Sequence, residues 1–162
     1  MQAKAAGFTL NELIVVIVIL GILAAAALPR YAALQTNARI AKLNGALGAV
    51  KGAASIAHGA CLATSNSATP CTNTAFNLAM EGQNVTLINQ YPTADAAGII
   101  AAAGLTISTS EGFATTGGGA AAGATITVQV LGNTPANCSF TYQAPTAAGN
   151  AAVYGAPVTT GC

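Results

Sequence analysis

The strongest constraint on this chain is a run of sixteen residues, Leu13–Leu28, in which no side chain is polar and which is entered through a carboxylate at Glu12. As an α-helix that run is a little short of the roughly 20 residues that cross the hydrocarbon core of a bilayer. Phe8, Thr9 and Leu10 extend the apolar stretch on the far side of Glu12, so the segment is long enough to be a membrane segment. It needs lipid or a tight helical partner. A carboxylate at the edge of such a segment is costly unless something pairs with it, which makes Glu12 a functional candidate by default.

Flanking charge and cysteine usage place the rest of the chain on opposite sides of a membrane. Lys4 precedes the run and Arg30, Arg39, Lys42 and Lys51 follow it, so the positive-inside count alone puts the longer C-terminal part in the cytoplasm. The four cysteines, at positions 61, 71, 138 and 162, all follow the run and lack close CxxC spacing, the pattern of two disulfides. Disulfides imply an oxidising compartment, so the C-terminal part is expected to be periplasmic or extracellular. Four thiols allow three connectivities and the sequence excludes none. The sequential one, Cys61 with Cys71 and Cys138 with Cys162, makes two local loops and is favoured. A zinc site would need closely paired ligands, and His58 alone does not supply them, so no metal is expected.

Composition narrows the function classes. With 53% hydrophobic residues the chain is too apolar for disorder, and a net charge of +1 gives no footprint for collecting phosphates. Five Lys/Arg, four Asp/Glu and one His leave few candidates for paired acid–base groups. His58 lies in a helical stretch with no nucleophile to serve, so no catalytic residue and no cofactor is expected. Asn84-Val85-Thr86 matches a glycosylation acceptor, a three-residue pattern that we read as chance.

From Tyr31 to about Cys61 the chain is Ala-rich and Pro-free, with Leu43, Leu47, Val50 and Ala54 forming one apolar stripe at helical spacing. Gly45, Gly48 and Gly52 each weaken a helix by about 1 kcal/mol relative to Ala, so the stripe needs a packing partner. The Gly48-x-x-x-Gly52 spacing arises easily in such a segment and carries no weight. Pro29 should kink or locally melt the helix rather than end it, giving one bent helix of about fifty residues. After Cys61 a Ser-, Thr-, Asn- and Pro-rich stretch reads as a long connecting loop stapled by the first disulfide, with a helical turn over Asp95–Gly104. Ala124–Leu131 and Cys138–Gln143 alternate as strands and form an antiparallel hairpin across GNTPAN. Leu105–Thr109 is a weaker strand. Val153–Thr159 is weaker still, an edge strand or loop, because Gly155 and Pro157 interrupt it. The expected fold is α+β, a long Pro-kinked N-terminal helix against a small antiparallel sheet.

The segment Gly7-Phe8-Thr9-Leu10-Asn11-Glu12, followed by the apolar run, Pro29 and Arg30, resembles the type IV pilins and their relatives. The matching features are a short basic leader ending in Gly7, a phenylalanine after it, FTL-x-E and the proline, and the likeness covers roughly the first sixty residues. LPRYAALQTNARIAKLNG looks most like pilins of the mannose-sensitive haemagglutinin type. Asn11 departs from the pattern, which usually has an aliphatic residue there.

The resemblance implies a pilin-like organisation: a leader over 1–7, a transmembrane and filament-core helix over 8–28, its amphipathic continuation over 29–61, and a disulfide-stapled head over 62–162. A prepilin peptidase in the inner membrane would cut after Gly7 and methylate the amine of Phe8. The pilus assembly machinery would then draw subunits of this Gram-negative type into a helical homo-oligomer outside the cell. Glu12 would pair with a neighbour's terminal amine and set the stagger between subunits, and Pro29 would mark a segment able to unwind. Cys138 and Cys162 fall where pilins commonly close a disulfide loop. Adhesion to a host surface, motility and DNA uptake are the family's roles. Two other readings stay open: a pseudopilin of a type II secretion system, and a secreted domain behind a signal peptide cut near Ala25-Ala26-Ala27, although Glu12 is unexpected in a signal peptide. Basic residues all precede position 52 and acidic ones other than Glu12 follow position 80. That arrangement lets a basic helix meet the acidic head of a neighbour, or is simply a solvated stem and head.

Overall fold

The computed structural model describes residues 9–64, 71 and 77–162, and the chain divides into two compact units, 1–38 and 39–162. Helix α1, Leu10–Thr64, runs for 55 residues with Pro29 inside it. Proline has no N–H to give, so one carbonyl of the preceding turn loses its partner, yet the helix does not end there. Within the first unit no described residue is buried, and every large aliphatic side chain from Leu13 to Leu28 is exposed. A helix that is apolar all round has no face for water.

In the second unit the same helix is one-sided. Leu43, Ala46, Val50, Ala53, Ala54, Ala57 and Cys61 are buried, on the face where the sequence places its apolar stripe, while Leu47 is half-buried beside them. Leu43, Ala46, Val50 and Ala54 of that face share a core with a four-stranded antiparallel sheet of β4 (Phe113–Gly117), β5 (Thr125–Val130), β6 (Ser139–Gln143) and β7 (Val153–Tyr154), in that spatial order. Alternation does the sorting, with Ile126, Val128 and Val130 from β5 and Phe140 and Tyr142 from β6 buried against the helix. Val128 sits opposite Phe140 and Ile126 opposite Tyr142, so the largest core side chains meet across the strands.

Three sequence expectations need correction here. The stretch read as a connecting loop holds a second antiparallel sheet, β1 (Asn77–Met80), β2 (Gln83–Ile88) and β3 (Tyr91–Pro92). Two two-residue turns build it: Glu81 and Gly82 link β1 to β2, Asn89 and Gln90 link β2 to β3, and all four have positive φ. Positive φ at both central positions is the hairpin turn that matches strand twist. Leu78, Val85 and Leu87 from this sheet pack with Ala57, Cys61 and Cys71 in a second small core. Leu105–Thr109 is not a strand; the strand at that edge is β4, eight residues further on, paired with β5 through Phe113 opposite Val130 and Thr115 opposite Val128. The helix also continues to Thr64 rather than stopping near Cys61.

The remaining elements follow the sequence reading more closely. Ala96–Ile100 forms one π-helical turn inside the span expected to be helical. Its cap is Asp95, whose carboxylate accepts from the Gly98 N–H at 2.7 Å and from the Thr93 hydroxyl at 2.8 Å. β7 is two residues long, at the sheet edge, with Gly155 and Pro157 following it. Cys61 is bonded to Cys71 and Cys138 to Cys162, with Cα atoms 5.7 Å and 4.8 Å apart.

Candidate functional site

The start of α1 is built as a reciprocal cap. The Glu12 carboxylate accepts from the Thr9 N–H at 2.9 Å and from the Thr9 hydroxyl at 2.8 Å, while the Glu12 N–H reaches back to the Thr9 oxygen at 3.3 Å. This is the capping box of a Thr-x-x-Glu start, which satisfies donors that the first helical turn leaves without partners. Thr9 is therefore a site residue that the sequence reading passed over, although its spacing to Glu12 carries the signal. Sequence reasoning expected Glu12 to need a partner; in the single chain that partner is the neutral Thr9, and among the described residues no cation pairs with it. The carboxylate stays exposed.

Gly7 and Phe8, the expected cleavage pair, lie outside the described residues. Pro29 is on the exposed part of α1, seventeen residues along from Glu12. The eleven large aliphatic side chains from Leu13 to Leu28 that stand in the open would gain on the order of 10–20 kcal/mol from burial in lipid or a protein core. By length and composition this helix can cross a membrane.

The four cysteines all belong to the second unit. Cys138 and Cys162 are both buried, and their bond closes the chain around β6 and β7. Arg39 of α1 donates through Nη1 to the Cys162 carbonyl oxygen at 2.8 Å, passing over Gly132, where a Cβ would stand 2.5 Å from the guanidinium nitrogen Nε. Lys42 donates to the Glu111 carbonyl and lies over the Phe113 ring, 4.4 Å from its centre. His58 stacks on Tyr91 at 4.3 Å, with Nδ1 3.1 Å from the Gln90 carbonyl oxygen, so it is held as a packing group between helix and hairpin. Among the described residues no group of three or more His, Cys, Asp or Glu could hold a metal ion.

These parts define a chain with a membrane-competent N-terminal helix carrying one capped carboxylate, and an α+β head closed by two disulfides. Residues 2–28 match the family model of the prokaryotic N-terminal methylation motif, the type IV pilin signal, so the chain carries that motif on the start of α1. No curated protein and no solved structure matches the chain.

Proposed function

We propose that the chain is the precursor of a structural subunit that polymerises into a type IV pilus. The observation that carries this reading is the methylation motif over residues 2–28 leading directly into a helical segment with no buried residue. A membrane holds that segment before assembly, and the helices of neighbouring copies enclose it afterwards. Cleavage after Gly7 frees the amine of Phe8, and in the filament core the Glu12 carboxylate meets the amine of an adjacent copy. An unpaired ion enclosed by apolar helices costs several kcal/mol, so the pair selects one stagger between subunits. A contact between two different surfaces of the same chain yields a filament rather than a ring when its rotation does not close.

Two head disulfides support a pilus working outside the cell, where the head meets an oxidising and mechanically demanding medium. Adhesion, motility and DNA uptake all fit such a filament. The deciding experiment is electron microscopy of filaments sheared from the producing cells, with intact mass of their subunit. The expected result is filaments whose subunit begins at Phe8 with a methylated amine. A subunit beginning near Leu28 refutes the reading in favour of a cleaved signal peptide.

A further inference from the structure

We infer that a cleft on the head receives the stem of a second copy of this chain, with Arg30 of the incoming helix against Glu81; this rests on the filament reading above. The cleft, of about 560 Å³, lies between α1 and the β1–β2 hairpin and is lined by Ala49, Gly52 and Ile56 on one side and Met80 and Glu81 on the other. Its walls are apolar and its helix side is shallow. Nothing stands within 4 Å of where a Gly52 Cβ would be, and Ile56 is 64% exposed. Small residues on a helix face let a second helix approach closely, and an exposed isoleucine beside them offers it a contact.

Charge identifies the occupant. Glu81, held at φ +48 in the hairpin turn, makes no ion pair or side-chain hydrogen bond among the described residues, and it is the only charged group lining the cleft. A matching helix needs an apolar face with one cation on it. Arg39 is bound to the Cys162 carbonyl, Lys42 to the Glu111 carbonyl, and Lys51 lies over the Tyr154 ring. Among the described residues Arg30 is the Lys or Arg left without a partner. It shares a helix face with Ala27, Tyr31 and Leu34, at i, i+3, i+4 and i+7, and Tyr31 and Leu34 are both exposed. Stem and cleft belong to the same helix, so within one chain the first cannot dock into the second, and the occupant is another copy. A rim ion pair of this kind adds little affinity but selects register, which a smooth apolar contact leaves undefined.

The test uses the full-length chain in producing cells, with Glu81→Lys, Arg30→Glu and the double variant, each checked for processing by intact mass. Each single reversal should cut the yield of sheared filaments about tenfold, and the double should recover to within about twofold of the parent. Independently, a photo-cross-linking residue at position 56 in an otherwise unchanged chain should join to residues 27–34 of a second copy. Single variants that assemble normally, or position-56 cross-links that map elsewhere on wild-type-like filaments, overturn the cleft assignment and leave the filament reading standing. A parent chain that gives neither filaments nor cross-linked dimers overturns both.

Discussion

The Tyr142 hydroxyl donates a 2.7 Å hydrogen bond to the Pro92 carbonyl oxygen, joining β6 to β3 and so linking two sheets that share no strand. Tyr142 is fully buried against α1, so this bond is shielded from water and cannot be replaced by a solvent contact. Pro92 closes the small sheet and Thr93 follows it into the Asp95 cap, with the Thr93 hydroxyl also 2.5 Å from that of Thr86. One phenol thus anchors a polar network that runs from the main sheet to the π-helical turn.

Removing that phenol isolates its contribution. Tyr142→Phe keeps the ring and leaves the Pro92 carbonyl without its donor, so the head should lose about 1–3 kcal/mol of unfolding free energy in urea titrations of the full chain in detergent. Loss below a few tenths of a kcal/mol would mean that the bond contributes nothing net.

Alkaline pH should act through the same residue. Burial, with the neighbouring Tyr154 and Tyr91 adding to it, pushes the Tyr142 phenol well above its ordinary value, and burial also raises Tyr154. The unfolded chain releases these protons near pH 10 while the folded chain retains them, so stability is fully present below about pH 10 and falls as pH rises beyond it. Tyr142→Phe should flatten that fall by up to about 1.4 kcal/mol per pH unit. Equal alkaline slopes in parent and variant would show that Tyr142 ionises as freely folded as unfolded.

Thr9 and Glu12 separate cap from charge. Thr9→Val removes the cap and should cost the start of α1 about 1 kcal/mol while leaving the carboxylate for a neighbour, so filaments should persist. Glu12→Ala removes the charge and the carboxylate half of the cap, keeping the bond from the residue-12 N–H to Thr9, and should leave a subunit that is cleaved and membrane-bound with filaments lost or scarce. Glu12→Gln, which keeps shape without charge, should fall between. Normal filament number in Glu12→Ala cells, counted by electron microscopy, would refute an assembly role.

Two glycines predict opposite outcomes for the same substitution. A Cβ at Gly98 would collide with the backbone and hydroxyl of Thr93, so Gly98→Ala should destabilise the head by about 1–3 kcal/mol. At Gly52 nothing stands in the way, and Gly52→Ala should stabilise the isolated subunit by about 0.5–1 kcal/mol through helix propensity. Thermal melts of the two variants compare them directly.

The disulfides are checked by peptide mapping without reduction, which should recover Cys61 joined to Cys71 and Cys138 to Cys162. Replacing Cys138 and Cys162 together should cost about 2–5 kcal/mol and lower subunit abundance, while leaving membrane insertion unaffected. Free thiols in freshly isolated protein would contradict both pairs.

What could be read from the sequence was whatever has a period. Leu43, Val50 and Ala54 repeat at helical spacing and Ile126, Val128 and Val130 at strand spacing, and each set is buried on one face. The small sheet was hidden because its turns are written unusually: Glu81 precedes Gly82 where Asn or Asp is customary, and Asn89-Gln90 has no glycine at all. Strand β4, FATTG, has only half-buried side chains at its start and shows no alternation, so it is defined by pairing with β5 rather than by its own pattern. At the N-terminus the carboxylate within an apolar run was conspicuous. Its local partner Thr9 was legible only through the Thr-x-x-Glu spacing of a capping box, which the search for an opposite charge does not look for.

The brevity of β7 bears on how such a chain behaves when crowded. A long open strand edge recruits foreign strands, but here that edge offers two residues before Gly155 and then Pro157, which has no N–H to donate. Heads concentrated side by side are thereby discouraged from fusing edge to edge into amyloid-like ladders along β7. The exposed apolar surface lies instead on a helix, whose backbone hydrogen bonds are already made, so a contact there is made by side chains and adds no strand to a sheet.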